Sequence, residues 1–242
     1  MTKQLLIYDL ISAVSAETHR ELSVREVGHF GFSAGTNHVP LMLSEFVQAS
    51  GDMPIVFAGG PGDRIPVAVL GFRDGENRFL DVGGTWRGRY VPAFLRRYPF
   101  VFANTAPDTL TLCIDETYPG CNRDGRGERL FDADGQHTTY LRNVLAFAQA
   151  YEQQLAATRA FCARLEALDL LEPAEAQWTP TAGDPMKLTG FSTVERARLR
   201  KLTGEQLAAL TADDLLEPIF AQLLSLGRFE QLATMEPAAR LN

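Results

Sequence analysis

Cysteine is scarce. Cys113, Cys121 and Cys162 are an odd set without close spacing, which excludes a disulfide framework and the paired-thiolate pattern of a structural zinc site. Histidine is nearly as rare, with four in 242 residues, and no two candidate ligands share a recognised short metal-binding interval. Basic charge is in deficit. The 23 Lys and Arg face 30 Asp and Glu for a formal charge of −7, so the footprint of a nucleic-acid or anionic-membrane binder is missing. Long apolar runs are absent too. The start, Met1-Thr2-Lys3-Gln4-Leu5-Leu6-Ile7-Tyr8-Asp9, reaches an acid too soon for the core of a secretory signal. No window approaches the roughly 20 apolar residues of a membrane span. These absences set the expectation of a soluble, reduced, cytoplasmic protein with no metal, no cofactor and no nucleic-acid partner.

Several short motifs fail on their surroundings. Gly59-Gly60-Pro61-Gly62 follows a strand as a phosphate loop would. However, Arg64-Ile65-Pro66-Val67 leads into another strand, with neither a helix nor a Gly-Lys-Ser/Thr ending. Asn122-Arg123-Asp124-Gly125 and Asp132-Ala133-Asp134-Gly135 open like calcium loops but lack the twelfth-position Glu, and Arg123 and Arg126 oppose a cation, so both read as turns. His29 and His38, nine residues apart, could compose a facial metal set only with Cys113 or Asp115 brought to them. Cys113 sits in the apolar run Leu110–Ile114 and reads as a buried, inert thiol. Ser44 and Ser225 have no Gly-x-Ser-x-Gly context. No residue is assigned a catalytic role; an enzyme here would have to draw on His29, His38, Asp115 or Cys113.

What is present is an ordinary globular composition, 45% hydrophobic and 22% charged. Residues 1–115 read as strand-rich, with runs such as Pro54–Phe57 and Val67–Phe72 bounded by Gly and Pro. Asp74-Gly75 reads as a hairpin turn between Val67–Phe72 and Arg78–Val82. Short helices are expected over Leu41–Ala49 and Tyr90–Arg97, with Pro92 in the first turn of the latter. Residues 116–137, rich in Gly and Asp, read as a mobile loop.

A long helix is expected over Thr138–Leu168. Leu141, Val144, Ala148, Tyr151, Leu155, Thr158, Cys162 and Leu165 recur at three- and four-residue steps on one face, widened by Leu145, Phe161 and Leu168. The stripe reads as a core face laid on the sheet. The alternative is a homodimer seam, which Ala148 and Thr158 weaken. Residues 172–187, with Pro173, Pro180, Gly183 and Pro185, read as a linker, and 188–242 as a helical tail. In the tail Leu202–Leu207 and Leu210–Leu215 look like two copies of one capping signal, Thr203 with Gln206 and Thr211 with Asp214. Ile219, Phe220, Leu223 and Leu224 are its expected buried face.

The densest segment is Gly84–Phe100. Four of the Lys and Arg residues fall within it, at Arg87, Arg89, Arg96 and Arg97, beside Trp86, Tyr90 and Tyr98. Arginine forks bind carboxylate or phosphate and stack on aromatic faces, so these seven residues form a candidate site for an anionic ligand. The competing reading is internal ion pairing with Asp81, Asp115 or Glu116. Arg96 and Arg97, adjacent on a short helix, diverge by about 100° and cannot both face one pocket.

Trp86, Arg89-Tyr90-Val91-Pro92-Ala93-Phe94 and Arg96-Arg97-Tyr98-Pro99-Phe100 resemble the signature of the SapC-like family of bacterial proteins. The same order of blocks continues upstream in Val39–Met42, Glu45-Phe46 and Pro54–Phe57. Downstream it runs through Leu112–Glu116, Leu130–Asp132, Asp169–Pro173, Gly190-Phe191 and Leu224–Leu226. The resemblance implies little chemistry and no catalytic residues. Some members are described as parts of bacterial surface layers, and family genes lie near flavin-dependent halogenase-like and outer-membrane receptor genes. The peptide-transport permease that shares the label is excluded by the lack of spans.

The sequence therefore predicts an α+β fold with a mainly antiparallel sheet, a long packing helix and a C-terminal helical cap. The expected division is a main domain, residues 1–171, and a helical subdomain, residues 172–242. The expected function is non-catalytic: a binding or accessory protein for an anionic small molecule, a peptide or a partner protein. The alternatives are a surface-layer structural protein and an enzyme with an unrecognised site.

Overall fold

The computed structural model describes residues 6–106, 109–179 and 185–236. The chain begins β1 (Ile11–Ala13), α1 (Ala16–His19), β2 (Ser23–Val24), β3 (His38–Pro40), α2 (Phe46–Ser50), β4 (Ile55–Ala58) and β5 (Ile65–Val69). It continues α3 (Ala93–Arg96), β6 (Phe100–Ala106), β7 (Thr109–Asp115), β8 (Cys121–Asn122), β9 (Glu128–Arg129) and α4 (Thr139–Ala167). It ends β10 (Leu171–Trp178), β11 (Met186–Val194), α5 (Arg196–Leu199), α6 (Gly204–Ala212), α7 (Leu216–Ser225) and α8 (Arg228–Thr234). The pairings between these strands are antiparallel, so the fold is the expected α+β.

Two compact units are each assembled from two stretches of chain. The first holds residues 1–29 and 96–153, the second 30–95 and 154–242. The expected boundary at 171/172 falls at the start of β10, inside the second unit.

In the first unit, β1, β7 and β6 lie side by side in that order, and β8, β2 and β9 form a second small sheet. Phe100 and Phe102 on β6 and Leu112 and Ile114 on β7 point to one face, as period-two alternation requires. That face packs with Leu141 and Ala148 of α4. The stretch read as a loop, 116–137, is partly built into this unit. Cys121 and Asn122 pair with one edge of β2, Glu128 and Arg129 with the other, and Tyr118, Leu130 and Phe131 are buried. Strands two residues long carry no readable alternation, which is why the segment reads as loop in sequence.

Both calcium-like segments are turns of one design. The Asn122 side-chain oxygen accepts from the amides of Asp124 and Arg126, and Asp132 does the same for Asp134 and Gln136. The third loop residue, Gly125 or Gly135, takes positive φ, a conformation glycine adopts freely. A third copy, which the sequence reading passed over, closes on Asp81 through Gly83 and Thr85.

The second unit carries the five-stranded sheet β10-β11-β4-β5-β3. Here the linker reading of 172–187 is corrected, because β10 and β11 form a hairpin, and Leu188–Val194 of the supposed helical tail is strand. Pro173 is tolerated because β10 is an edge strand. Pro180 and Gly183 lie outside the described residues. Arg78–Val82 is not a strand either. Arg78 N donates to Leu70 O across the Asp74-Gly75 turn, and only Leu80 bridges, to Trp86.

The later part of α4 buries Phe161 against Phe46 (5.8 Å) and Phe57 (6.3 Å). Thr158, the polar misfit of the stripe, is fully buried, accepting from Leu43 N and donating to Gln154 O. Thr203 caps α6 in a capping box with Gln206 as expected. Thr211 does not cap. It lies in the last turn of α6 and donates back to Leu207 O, while Asp214 turns the chain at positive φ. The buried face of α7 is also corrected. Ile219 and Leu223 are buried, but Phe220 and Leu224 are exposed, because Gln222 faces inward to bond Ile55 O and Val194 N.

Candidate functional site

The seven Arg and aromatic residues divide at Leu95/Arg96 between the two units. Trp86, Arg87, Arg89 and Tyr90 belong to the second, where the buried carboxylates of Asp52 and Glu45 hold this segment. Asp52 Oδ2 accepts from the amides of Arg89 (2.5 Å) and Tyr90 (2.7 Å), and Oδ1 accepts from Arg89 Nε (3.0 Å). Glu45 accepts from the Tyr90 hydroxyl, Ala93 N and Met42 N at 2.7–2.8 Å. Trp86 stacks on Phe79 with centroids 5.1 Å apart and donates to Tyr90 O. Gly88 is needed for this closeness, since a Cβ there would come within 2.7 Å of Trp86 Nε1. Arg87 and Arg89 are exposed. Arg87 reaches Glu236 O, and the Arg89 side chain is 83% accessible beside Asp52.

Arg96, Arg97 and Tyr98 belong to the first unit, and the adjacent arginines diverge. Arg96 is exposed, 5.5 Å from the Phe147 ring, whereas Arg97 is buried against Tyr151 and Tyr8. Tyr98 donates to Asp115, which also accepts from Thr117 and from the amides of Asp9 and Leu10. Burial works against the Asp115 charge, but these hydrogen bonds outweigh it and hold the carboxyl below its usual range. Burial pushes the Tyr8 hydroxyl up to about 12.

Among the described residues no three His, Cys, Asp or Glu side chains cluster as a metal site. His29 lies in the first unit and His38 in the second, bonded to Asn37. Cys113 is buried, which raises its thiol pKa.

A Ser–His–carboxylate grouping that the sequence reading missed lies in the first unit. Ser12 Oγ is 3.2 Å from His19 Nε2 and 2.5 Å from Glu116 Oε1. Its wiring differs from that of a catalytic triad. Ser15 N donates to His19 Nδ1, so the neutral ring carries its proton on Nε2 and cannot take one from Ser12 there. The Ser12 hydroxyl instead donates to Glu116, holding that carboxyl below its usual range.

The cavity of interest is a groove of about 650 Å³ within the first unit. Phe102, Leu110 and Leu112 from the sheet line it, with Val14 beyond β1 and Leu141 and Leu145 along α4. Thr111, His137, Gln149, Glu152 and Gln153 add polar groups, and no Lys or Arg is among the described lining residues. None of the seven Arg and aromatic candidates lines it. Leu141 belongs to the core and Leu145 packs against it, as the sequence predicts for this face of α4. The overlooked signal was Leu110, an apolar strand residue that is 48% exposed.

The signature blocks quoted above recur in order along these elements, and the family model named SapC matches residues 14–232. The chain belongs to the SapC family. That match takes in both units and every lining residue of the groove. No curated protein and no solved structure matches this SapC chain. No helix among its described residues is long and apolar enough to cross a membrane.

Proposed function

We propose that this SapC-family chain is a non-catalytic binding protein whose ligand is a peptide segment of a partner protein, held in the groove of the first unit. The observation that carries the reading is the groove itself, where apolar side chains of the sheet and α4 stand beside amides, one carboxylate and one imidazole. Concave sites lined by apolar side chains with a few placed polar groups are the common form of ligand sites. The tautomer of His19 supports a role without turnover.

A second reading, recognition of an anionic small molecule by the Arg and aromatic segment, is favoured by the exposure of Arg87, Arg89 and Arg96. It carries less weight, because Asp52 already offsets Arg89 and the described lining of the groove holds neither Lys nor Arg.

The test is methyl NMR with the apolar dye anilinonaphthalene sulfonate as probe. The methyl signals of Leu110, Leu112, Leu141 and Leu145 should shift together. Shifts confined to Leu207 and Leu224, or none at all, would refute the groove as a binding site.

A further inference from the structure

Resting on that reading of the groove, we propose that its occupant is an extended peptide that pairs its backbone with Leu110, taking up the row of the sheet that β1 leaves unfinished. In the β1–β7 ladder the paired residue numbers sum to 126: Ile11 with Asp115, Ser12 with Ile114, Ala13 with Cys113. The last bond runs from Val14 N to Leu112 O at 2.9 Å. Antiparallel alternation turns the N–H and C=O of every second residue to the same side. Those of Leu110 therefore point the same way as those of Leu112, to where residue 16 would pair if the strand ran on.

It does not run on. Ser15 is already the N-cap of α1, its amide turned to His19 Nδ1, and Ala16 is the first helical residue. Among the described residues one place in the ladder is thus left for an incoming chain, beside the cavity lined by Leu110, Leu112 and Leu141.

Size and charge agree with a short extended peptide. From Leu141 to Gln153 the helical wall runs about 18 Å at 1.5 Å per residue. That length accommodates about five extended residues at 3.3 Å each. With neither Lys nor Arg among its described lining residues, the groove offers no cation to an acidic peptide and favours a neutral or cationic one. Such recognition takes affinity from the main chain and selectivity from alternate side chains.

The test begins with a displayed random hexapeptide library selected on the full chain, with a folded Leu145→Glu variant as counter-target. A selected peptide is then resynthesised with each amide methylated in turn. Methylation of one amide should weaken binding about tenfold or more, and its neighbours about threefold or less, since a single N–H meets the Leu110 carbonyl. A flat methylation profile, or no peptide distinguishing the two targets, overturns strand pairing. If the dye still shifts the groove methyls, the groove reading survives that failure; if it does not, both fall.

Discussion

The Arg97 guanidinium stands 4.4 Å from the centre of the Tyr151 ring, buried to 5% exposure, while its neighbour Arg96 points into solvent over Phe147. One arginine is part of the interior and the other is not. Arg97→Ala should cost about 2–4 kcal/mol, by loss of a desolvated cation–aromatic contact and exposure of its buried surroundings. Arg96→Ala should stay within about 1 kcal/mol. Urea denaturation of the two variants decides, and equal losses would contradict the assignment.

Asp52 and Arg89 form an ion pair of unequal partners, one buried and one exposed. The buried carboxylate also receives two backbone amides, so its main work is holding the loop. Arg89→Ala should change stability by less than about 1 kcal/mol, because solvent screens the pair. Asp52→Ala orphans the amides and should cost about 2–4 kcal/mol. If Arg89→Ala proved the more damaging in thermal melts, the ion pair would be the stabilising element instead.

The two ends of the pH scale should report different groups. Asp115 has a folded pKa below its unfolded value, so its stabilisation is present above about pH 4 and lost as pH falls through the folded pKa. Asp115→Asn should therefore lower stability at pH 7 and flatten the acid limb. Tyr8 has a raised pKa, so its neutral form is favoured in the fold. Its contribution is intact below about pH 10 and is lost as pH rises toward about 12. Tyr8→Phe should flatten the alkaline limb and leave the acid limb alone. Melting temperature against pH for both variants gives the answer, and an unchanged limb in either case rejects that assignment.

Local periodicity made part of this legible. The stripe of α4, the strands at Ile55 and Ile65 and the cap at Thr203 follow from spacing alone, as does the divergence of Arg96 and Arg97. Features that depend on distant partners were not legible. Pro173 breaks a strand in isolation and is accepted at an edge, and only the pairing of β10 shows that it is one. The groove exists because β1 stops where β7 continues, a mismatch between segments about a hundred residues apart. Phe220 reads as core by its chemistry, and the inward turn of Gln222 decides otherwise.

The interleaving of the units has a consequence for synthesis. Ile11–Ala13 leave the ribosome about a hundred residues ahead of their partners Cys113–Asp115, a wait of roughly 5–20 s at 5–20 residues per second. During that wait Phe30–Leu95 emerges, and β4 pairs with β5 at once but meets β11 only after Ser192 is made. The unit whose chain begins first is therefore also the first that can close, once Gln153 has emerged. A chain ending at Leu171 would hold every residue of that unit but a sheet still lacking β10 and β11, with the edge of β4 open to any passing strand.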